Sequence, residues 1–272
     1  MRKVLLILTL AVAAITLSAC QSAVEESAPS TLRVMSYNIH YGLGLDGVYD
    51  VERLAKVINE FQPDLVALQE VEIGVARSGR TDQASELAKL TGLAVRYGPA
   101  QTLQGGFFGN AVLSRFPVTD VTIQPLPYTE STDPEKSFPR SAIAVTVEGP
   151  DGNPLRIVSS HFMHLHAEDR IAEAEAINRL FAQEGDMTPT IFAADLNAKP
   201  WEEPVKLLEQ RWTSVMSDPP PFTAPANRPD VTIDYIFVRP HDAFRLVEMG
   251  TIAEPVASDH LPVWAILELN TH

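Results

Sequence analysis

Leu32-Arg33-Val34-Met35-Ser36-Tyr37-Asn38-Ile39 is the stretch on which the reading of this chain turns. Its apolar residues fall on both parities, the pattern of a strand buried on both faces. The run finishes on a carboxamide, Asn38. The same construction recurs down the chain, each polar motif sitting at or near the end of an apolar run. The later members are Leu68-Gln69-Glu70-Val71, Gly109-Asn110-Ala111-Val112, Ser160-His161-Phe162, Asp195-Leu196-Asn197, Ile233-Asp234-Tyr235-Ile236 and Ser258-Asp259-His260. Adjacent strands can bring such ends together, so the series predicts one catalytic cleft assembled from many segments.

Working outward, strands are expected at 32–39, 64–69, 109–114, 142–147, 155–160, 190–194, 233–238 and 262–269. An alternating strand at 118–123 is expected to form a hairpin with 109–114, turned at Phe116-Pro117. Helices are expected at 51–61 behind an Asp50 cap, at 83–91 before Gly92, at 167–184 and at 201–210. The proline-rich stretches 125–139 and 218–229 read as long loops over a cleft. Composition does not shift between halves, and 45% hydrophobic residues in 272 suffice for one large core.

The amino terminus reads separately. Arg2-Lys3 precede an apolar run too short to span a bilayer comfortably, and Leu17-Ser18-Ala19-Cys20 closes it. This resembles the lipobox of bacterial lipoproteins. The expected organisation is a signal peptide at 1–19, a lipidated Cys20 and tether at 20–30, and a catalytic domain at 31–272. An ordinary secretory signal with an incidental Cys20 is the alternative. Cys20 is the only cysteine, so no internal disulfide forms.

The net charge is -14, and loss of Arg2 and Lys3 with the signal would lower it to -16. A groove for nucleic-acid phosphates needs a basic patch, so the charge weighs against nucleic acid as partner.

The motifs suggest oxygen-ligand metal chemistry with acid/base assistance. Asn38 and Glu70 offer one amide and one carboxylate oxygen, a set that suits Mg²⁺ completed by water and phosphate oxygens. Turn and loop roles are the alternative for each. In an extended segment Asp195 and Asn197 point the same way, an acceptor for a water beside a donor for phosphate; an Asx-type turn fits equally. Asp234 interrupts an apolar run, where a lone carboxylate is costly, and pairing with His260 would relieve it. His161 is a second imidazole; His164 and His166 line a rim or face solvent. Arg140 and Asn110 can contact phosphate, Arg77 and Arg80 lie in a loop after Glu70, and for each a surface ion pair or turn is an equal reading.

In this order and context the motifs resemble the endonuclease/exonuclease/phosphatase superfamily, the DNase I-like fold, over about residues 32–269. The resemblance implies a four-layered α/β sandwich, two mixed β-sheets face to face with helices outside. It implies Mg²⁺- or Mn²⁺-dependent hydrolysis of phosphate esters. Glu70 would be the principal metal ligand, with Asn38 near and Asp259 contributing. Asp195 would position water, Asn197 would bind phosphate, Asp234 would pair with His260, and His161 and His260 would share proton traffic.

The tryptophan- and arginine-rich signatures of the inositol-phosphatase branch are missing around Asp195 and Asp234, and the segment around Arg228-Pro229 looks more like a bacterial phosphatase-like branch. The expected protein is therefore a monomeric phosphoesterase at the cell envelope. It would act on a small or lipid-linked ester, mono- or diester, from an anchor placed at the outer membrane by the resemblance of Gln21 to outer-membrane sorting. Other readings stay open: a secreted nuclease, a sphingomyelinase-like phospholipase C with Phe107-Phe108 as its apolar wedge, and a catalytically silent binding lipoprotein.

Overall fold

In the computed structural model the described residues are 30–130 and 137–270. Expectations that fall on 1–29, the signal peptide, Cys20 and the tether, lie outside them. Strand β1 is Ser30–Asn38, and helix α1, Val51–Phe61, follows. Then come β2 Leu65–Ile73, α2 Gln83–Thr91, β3 Ala94–Leu103 and β4 Gly106–Ser114. The next strands are β5 Val118–Pro125, β6 Ser141–Glu148 and β7 Pro154–His161, before α3 Ala167–Phe181. The chain ends with β8 Thr190–Asp195, α4 Glu203–Glu209, β9 Thr213–Ser214, β10 Asp234–Arg239, β11 Phe244–Thr251 and β12 Val263–Leu269.

Two six-stranded mixed sheets result, one ordered β11-β12-β1-β2-β4-β3 and the other β5-β6-β7-β8-β10-β9. The opening stretch explains their stacking. Leu32 and Val34 enter the core shared with Ile143, Ile157, Ile191 and Ile236 of the facing sheet. Met35 and Tyr37, on the opposite parity, pack with Leu54 and Ile58 of α1 and Leu87 of α2. The second sheet repeats this: Val158 and Phe192 turn outward onto Ile177 and Phe181 of α3 and Leu208 of α4. Strands buried on both faces thus dictate four layers: helices, sheet, sheet, helices.

Asp50 caps α1 by accepting the Arg53 N–H at 2.8 Å, Asp82 caps α2 through Ser85 at 3.0 Å, and Gly92 ends α2 in the left-handed conformation. Helix α3 ends at Phe181, short of the expected 184, and α4 begins at Glu203 with Pro204 in its first turn.

One pairing differs from expectation. β5 does not return onto β4; it pairs antiparallel with β6 in the other sheet, while β4 lies between β2 and β3. After β4, Phe116 packs into the core between the sheets, so the Phe116-Pro117 corner carries the chain from one sheet to the other.

Strand direction sets the site. β1 and β2 run parallel, as do β7 and β8. Asn38, Glu70, His161 and Asp195 therefore arrive at one end of the sandwich. β10 is antiparallel to β8, so its first residue, Asp234, stands level with Asp195, which on its other side stands level with His161. The hydroxyl of Ser159 donates to the Leu68 carbonyl at 3.0 Å and the Gln69 amide donates to Ser159 at 3.2 Å, stitching the two sheets just beneath that end.

Candidate active site

The strand ends surround a cavity of about 480 Å³. Glu70, Asp195, Asn197, His161, Asp259 and His260 form one wall, with Arg140 beside them. Several of these residues hold unusual backbone. Glu70 lies at a bulge where the β2–β4 register shifts between Leu68 and Val71, with φ of 58°. His40, Tyr41 and Asn197 also have positive φ, at 45°, 42° and 47°. Left-handed backbone costs a non-glycine residue of order 1–2 kcal/mol, so its concentration around one cavity marks a functional surface. At Glu70 the bulge re-aims the carboxylate out of the sheet.

Asn38 is fully buried. Its Nδ2 donates to Oδ2 of Asp195 at 2.9 Å and to Oε1 of Glu70 at 3.1 Å, while its Oδ1 accepts the His40 N–H at 3.0 Å. It thus presents nitrogen to the carboxylates, acting as a strut between them. Asp195 also accepts the Asn197 N–H at 2.9 Å through Oδ1. Burial, reinforced by Asp234, pushes the Asp195 carboxyl up from the ordinary carboxylate range, with His260 and the Asn38 bond pulling the other way.

The two imidazoles are held in opposite states. Arg140 donates from Nη1 to Nδ1 of His161 at 3.0 Å. A guanidinium has no lone pair, so Nδ1 must accept and the ring proton sits on Nε2, 3.4 Å from Oδ2 of Asp195. Nδ2 of Asn197, 2.9 Å from the same Nε2, donates to the Phe162 carbonyl at 3.1 Å. Burial, then the charges of Arg140, His260 and His164, hold His161 well below its ordinary value, so it is neutral. His260 is the reverse. Its Nδ1 donates to Oδ2 of Asp234 at 2.9 Å. Burial opposes charge there too, but Asp234 and Asp195 outweigh it and hold His260 well above its ordinary value. Environments that push paired titratable groups apart are how acid and base roles are divided.

For a divalent cation the fitting donors are carboxylate oxygens. Glu70 is half-buried and Asp259 more open, both on the cavity wall, and a hard ion takes such oxygens with water filling its shell. Donor atoms of Asp195, Asp234 and His260 also lie within 4.8 Å of one another, close enough for a cation to span. Asp234 and His260 already occupy each other's best atoms, so Glu70 and Asp259 are the freer pair.

Other expected residues fall elsewhere. Asn110 is not on the cavity wall; it is buried and donates to the Ser141 carbonyl at 2.9 Å, tying β4 to β6. Arg140 is on the wall and fully buried, with Phe138 stacked 4.7 Å from its guanidinium. His164 joins this rim, while His166 stands at the start of α3. Phe107 is 48% exposed but Phe108 is buried against the cavity, so the two do not act as one wedge. The loop after β5 reaches the cavity through Phe138; the 218–229 loop instead supports it from behind, Ala226 donating to the Asp259 carbonyl at 2.7 Å.

Sequence reasoning missed His40, Tyr41, Gln101, Leu103 and Phe138 as cavity residues. For His40 and Tyr41 a signal existed, since they come two and three residues after Asn38. Gln101 and Leu103 arrive on a strand that apolar patterning does not reveal.

Known proteins share this fold. A solved endonuclease/exonuclease/phosphatase structure from Beutenbergia cavernae is 27% identical, covers 88% of this chain and 72% of its own, and superposes with a TM-score of 0.73. The human nocturnin catalytic domain with bound sulfate shares the fold at 21% identity, TM-score 0.68, covering 88% of this chain and 95% of its own. So does a mannosyl-6-phosphatase from Bacteroides thetaiotaomicron, at 18% identity, TM-score 0.68, covering 87% and 99%. No curated protein sequence matches. The description of the Endonuclease/Exonuclease/phosphatase family matches residues 35–260, from the first strand of the site to His260, and the chain belongs to that family.

Proposed function

We propose that this protein hydrolyses a small-molecule or lipid-linked phosphate ester with a divalent cation, Mg²⁺ or Mn²⁺, from a lipid anchor at Cys20 on the bacterial envelope. Members of its family are phosphoester hydrolases. The observation that carries the reading is the pair of imidazoles flanking Asp195, His161 bonded to the Arg140 guanidinium and His260 to the Asp234 carboxylate.

A bound cation, held by Glu70 and Asp259, would neutralise charge on the phosphoryl oxygens. The rest falls to side chains. Asp195, its carboxyl raised and its direction fixed by Asn38 and the Asn197 N–H, accepts a proton from the attacking water. Imidazolium His260 and the guanidinium of Arg140 offer donors to the phosphoryl oxygens as charge builds. Asp234 keeps the His260 proton on Nδ1 and leaves Nε2–H facing the cavity. Imidazolium His260 is the group with a proton to give to the leaving oxygen, while neutral His161 offers its Nε2–H as a hydrogen-bond donor to the charge that builds there.

The net charge of -14 favours small esters over nucleic acid as substrate. The test is an assay of the purified protein with Mg²⁺, with Mn²⁺ and with EDTA against sugar phosphates, inositol phosphates, phospholipids and plasmid DNA. Chelator-sensitive release of phosphate or headgroup is expected. Cleavage of plasmid alone would reverse the substrate ranking, and turnover in EDTA would remove the cation from the reading.

A further inference from the structure

The cavity extends past the catalytic wall to a second wall that the hydrolytic chemistry does not use. Arg77 lies there with its guanidinium carbon 3.7 Å from the centroid of the Tyr41 ring. Its Nε donates to Oε1 of Glu72 at 2.6 Å, and Nη2 pairs with the same carboxylate. Among the described residues Nη1 has no hydrogen-bond partner. Leu103 and Phe108 line the cavity beside it.

This wall is built from beneath. Glu72 is fully buried, a costly place for a carboxylate unless it serves a partner. Its backbone N–H donates to Oε1 of the buried Gln83 at 2.8 Å, and Nε2 of Gln83 donates to the Tyr41 carbonyl at 2.6 Å. Tyr41 itself is held at φ 42°, and a Cβ on the adjoining Gly42 would come 3.0 Å from the Gln83 amide. Two buried polar residues and a left-handed backbone therefore hold one stacked pair in place. None of them is bonded to the catalytic carboxylates or imidazoles.

The chemistry of the wall says what it can hold. Glu72 balances the Arg77 charge, so a second phosphate gains little there. A flat guanidinium backed by an aromatic ring, with free N–H donors and apolar neighbours, suits the face of a ring that carries hydrogen-bond acceptors. A cavity of about 480 Å³ holds a phosphate and one such ring, in the range of small-ligand sites. Resting on the hydrolase reading above, we propose that Arg77, stacked on Tyr41 and clamped by Glu72, binds the leaving group and selects phosphate esters of ring alcohols, sugars or nucleosides, over straight-chain esters.

Arg77→Met alone would strand the buried Glu72 carboxylate, so the test uses the double variant Glu72→Gln/Arg77→Met in the full chain, with Tyr41→Ala as a second disruption and circular dichroism to check folding. Each is assayed on a hexose phosphate, a nucleoside monophosphate and glycerol phosphate. The native protein is expected to prefer at least one ring ester by about tenfold in kcat/KM, and both variants to lose that preference through KM. The hexose and nucleoside arms decide which ring is meant. A preference that survives in both folded variants, a native protein with no preference, or an equal fall for all three esters overturns the proposal. If neither these esters nor the inositol phosphates, phospholipids and plasmid of the assay above are turned over, calorimetric titration with the unphosphorylated hexose and nucleoside separates the two ideas. Arg77-dependent binding then upholds the wall and overturns only the hydrolase reading; no binding overturns both.

Discussion

Nδ1 of His260 lies 2.9 Å from Oδ2 of Asp234, with both side chains buried at the end of the second sheet. The carboxylate fixes the ring tautomer and supports its charge against burial. Asp234→Asn keeps the shape but removes that support. It should lower kcat by about a hundredfold or more with little change in folding. Steady-state kinetics and ring-nitrogen NMR of His260 check it; near-native kcat would show that the pair is a structural bond only.

Glu70 combines strain with function. Glycine at φ 58° avoids the left-handed penalty and takes one carboxylate out of an acidic cluster. Glu70→Gly should therefore be more stable by about 0.5–1 kcal/mol, raising Tm by roughly 1–2 °C, while losing nearly all activity. Calorimetry alongside the phosphate assay reads both; a lowered Tm would mean that Glu70 holds the fold.

Glu173 should make stability depend on pH. Burial raises its carboxyl to about 8, against the Met163 N–H bond and the Arg140 charge, which pull it down. Its unfolded value is near 4.5, so between those limits the folded chain keeps a proton that the unfolded chain has released. The contribution is complete below the lower limit and lost as pH rises through the upper one. The loss is at most roughly 5 kcal/mol. Glu173→Gln should flatten urea-melt stability across that window; an unchanged slope would assign it to other groups.

Asp169 supports the cavity from a distance. Its buried carboxylate accepts the Thr129 N–H at 3.0 Å, the Thr129 hydroxyl at 2.7 Å and the Ser137 hydroxyl at 2.8 Å, fixing Ser137 next to Phe138 and three residues before Arg140. Asp169→Ala should cost roughly 2–3 kcal/mol and raise KM more than it lowers kcat. Asp169→Asn should recover part of both. A variant with lowered stability and native KM would confine Asp169 to folding.

What depends on burial is legible in the sequence. Two-sided apolar runs marked the inner strands, and Asp50, Asp82 and Gly92 marked helix ends. What is not legible lacks that signature. β3 is half-exposed along its length and contains Gly98-Pro99; β11 is a mostly exposed edge strand containing Arg245 and Glu248. The destination of β5 escaped because alternation specifies a face, while the choice between a hairpin and a crossing to the other sheet rests on Phe116, whose packing is non-local. At the site, Asp234 and His260 were legible because an acid in an apolar run requires a partner. Tyr41 and the bulge at Glu70 were not, since left-handed backbone in a tyrosine or glutamate has no compositional mark. Asn110, after its neighbouring glycines, is open in the sequence to a phosphate contact or a turn; the structure buries it with its amide on the Ser141 carbonyl, tying β4 to β6.

Strand β1 also fixes a direction. It begins at Ser30, where the chain arrives from residue 29, and ends at Asn38 in the cavity, so entry and cleft are roughly 30 Å apart at opposite poles. With a lipid on Cys20, the ten residues from 20 to 29 would hold the molecule by its back, at a reach of roughly 30 Å. The cleft would then look outward from its own membrane. Esters drifting through the surrounding space would meet it head-on, whereas a lipid ester in that same leaflet would be met only when the molecule tips over on its leash.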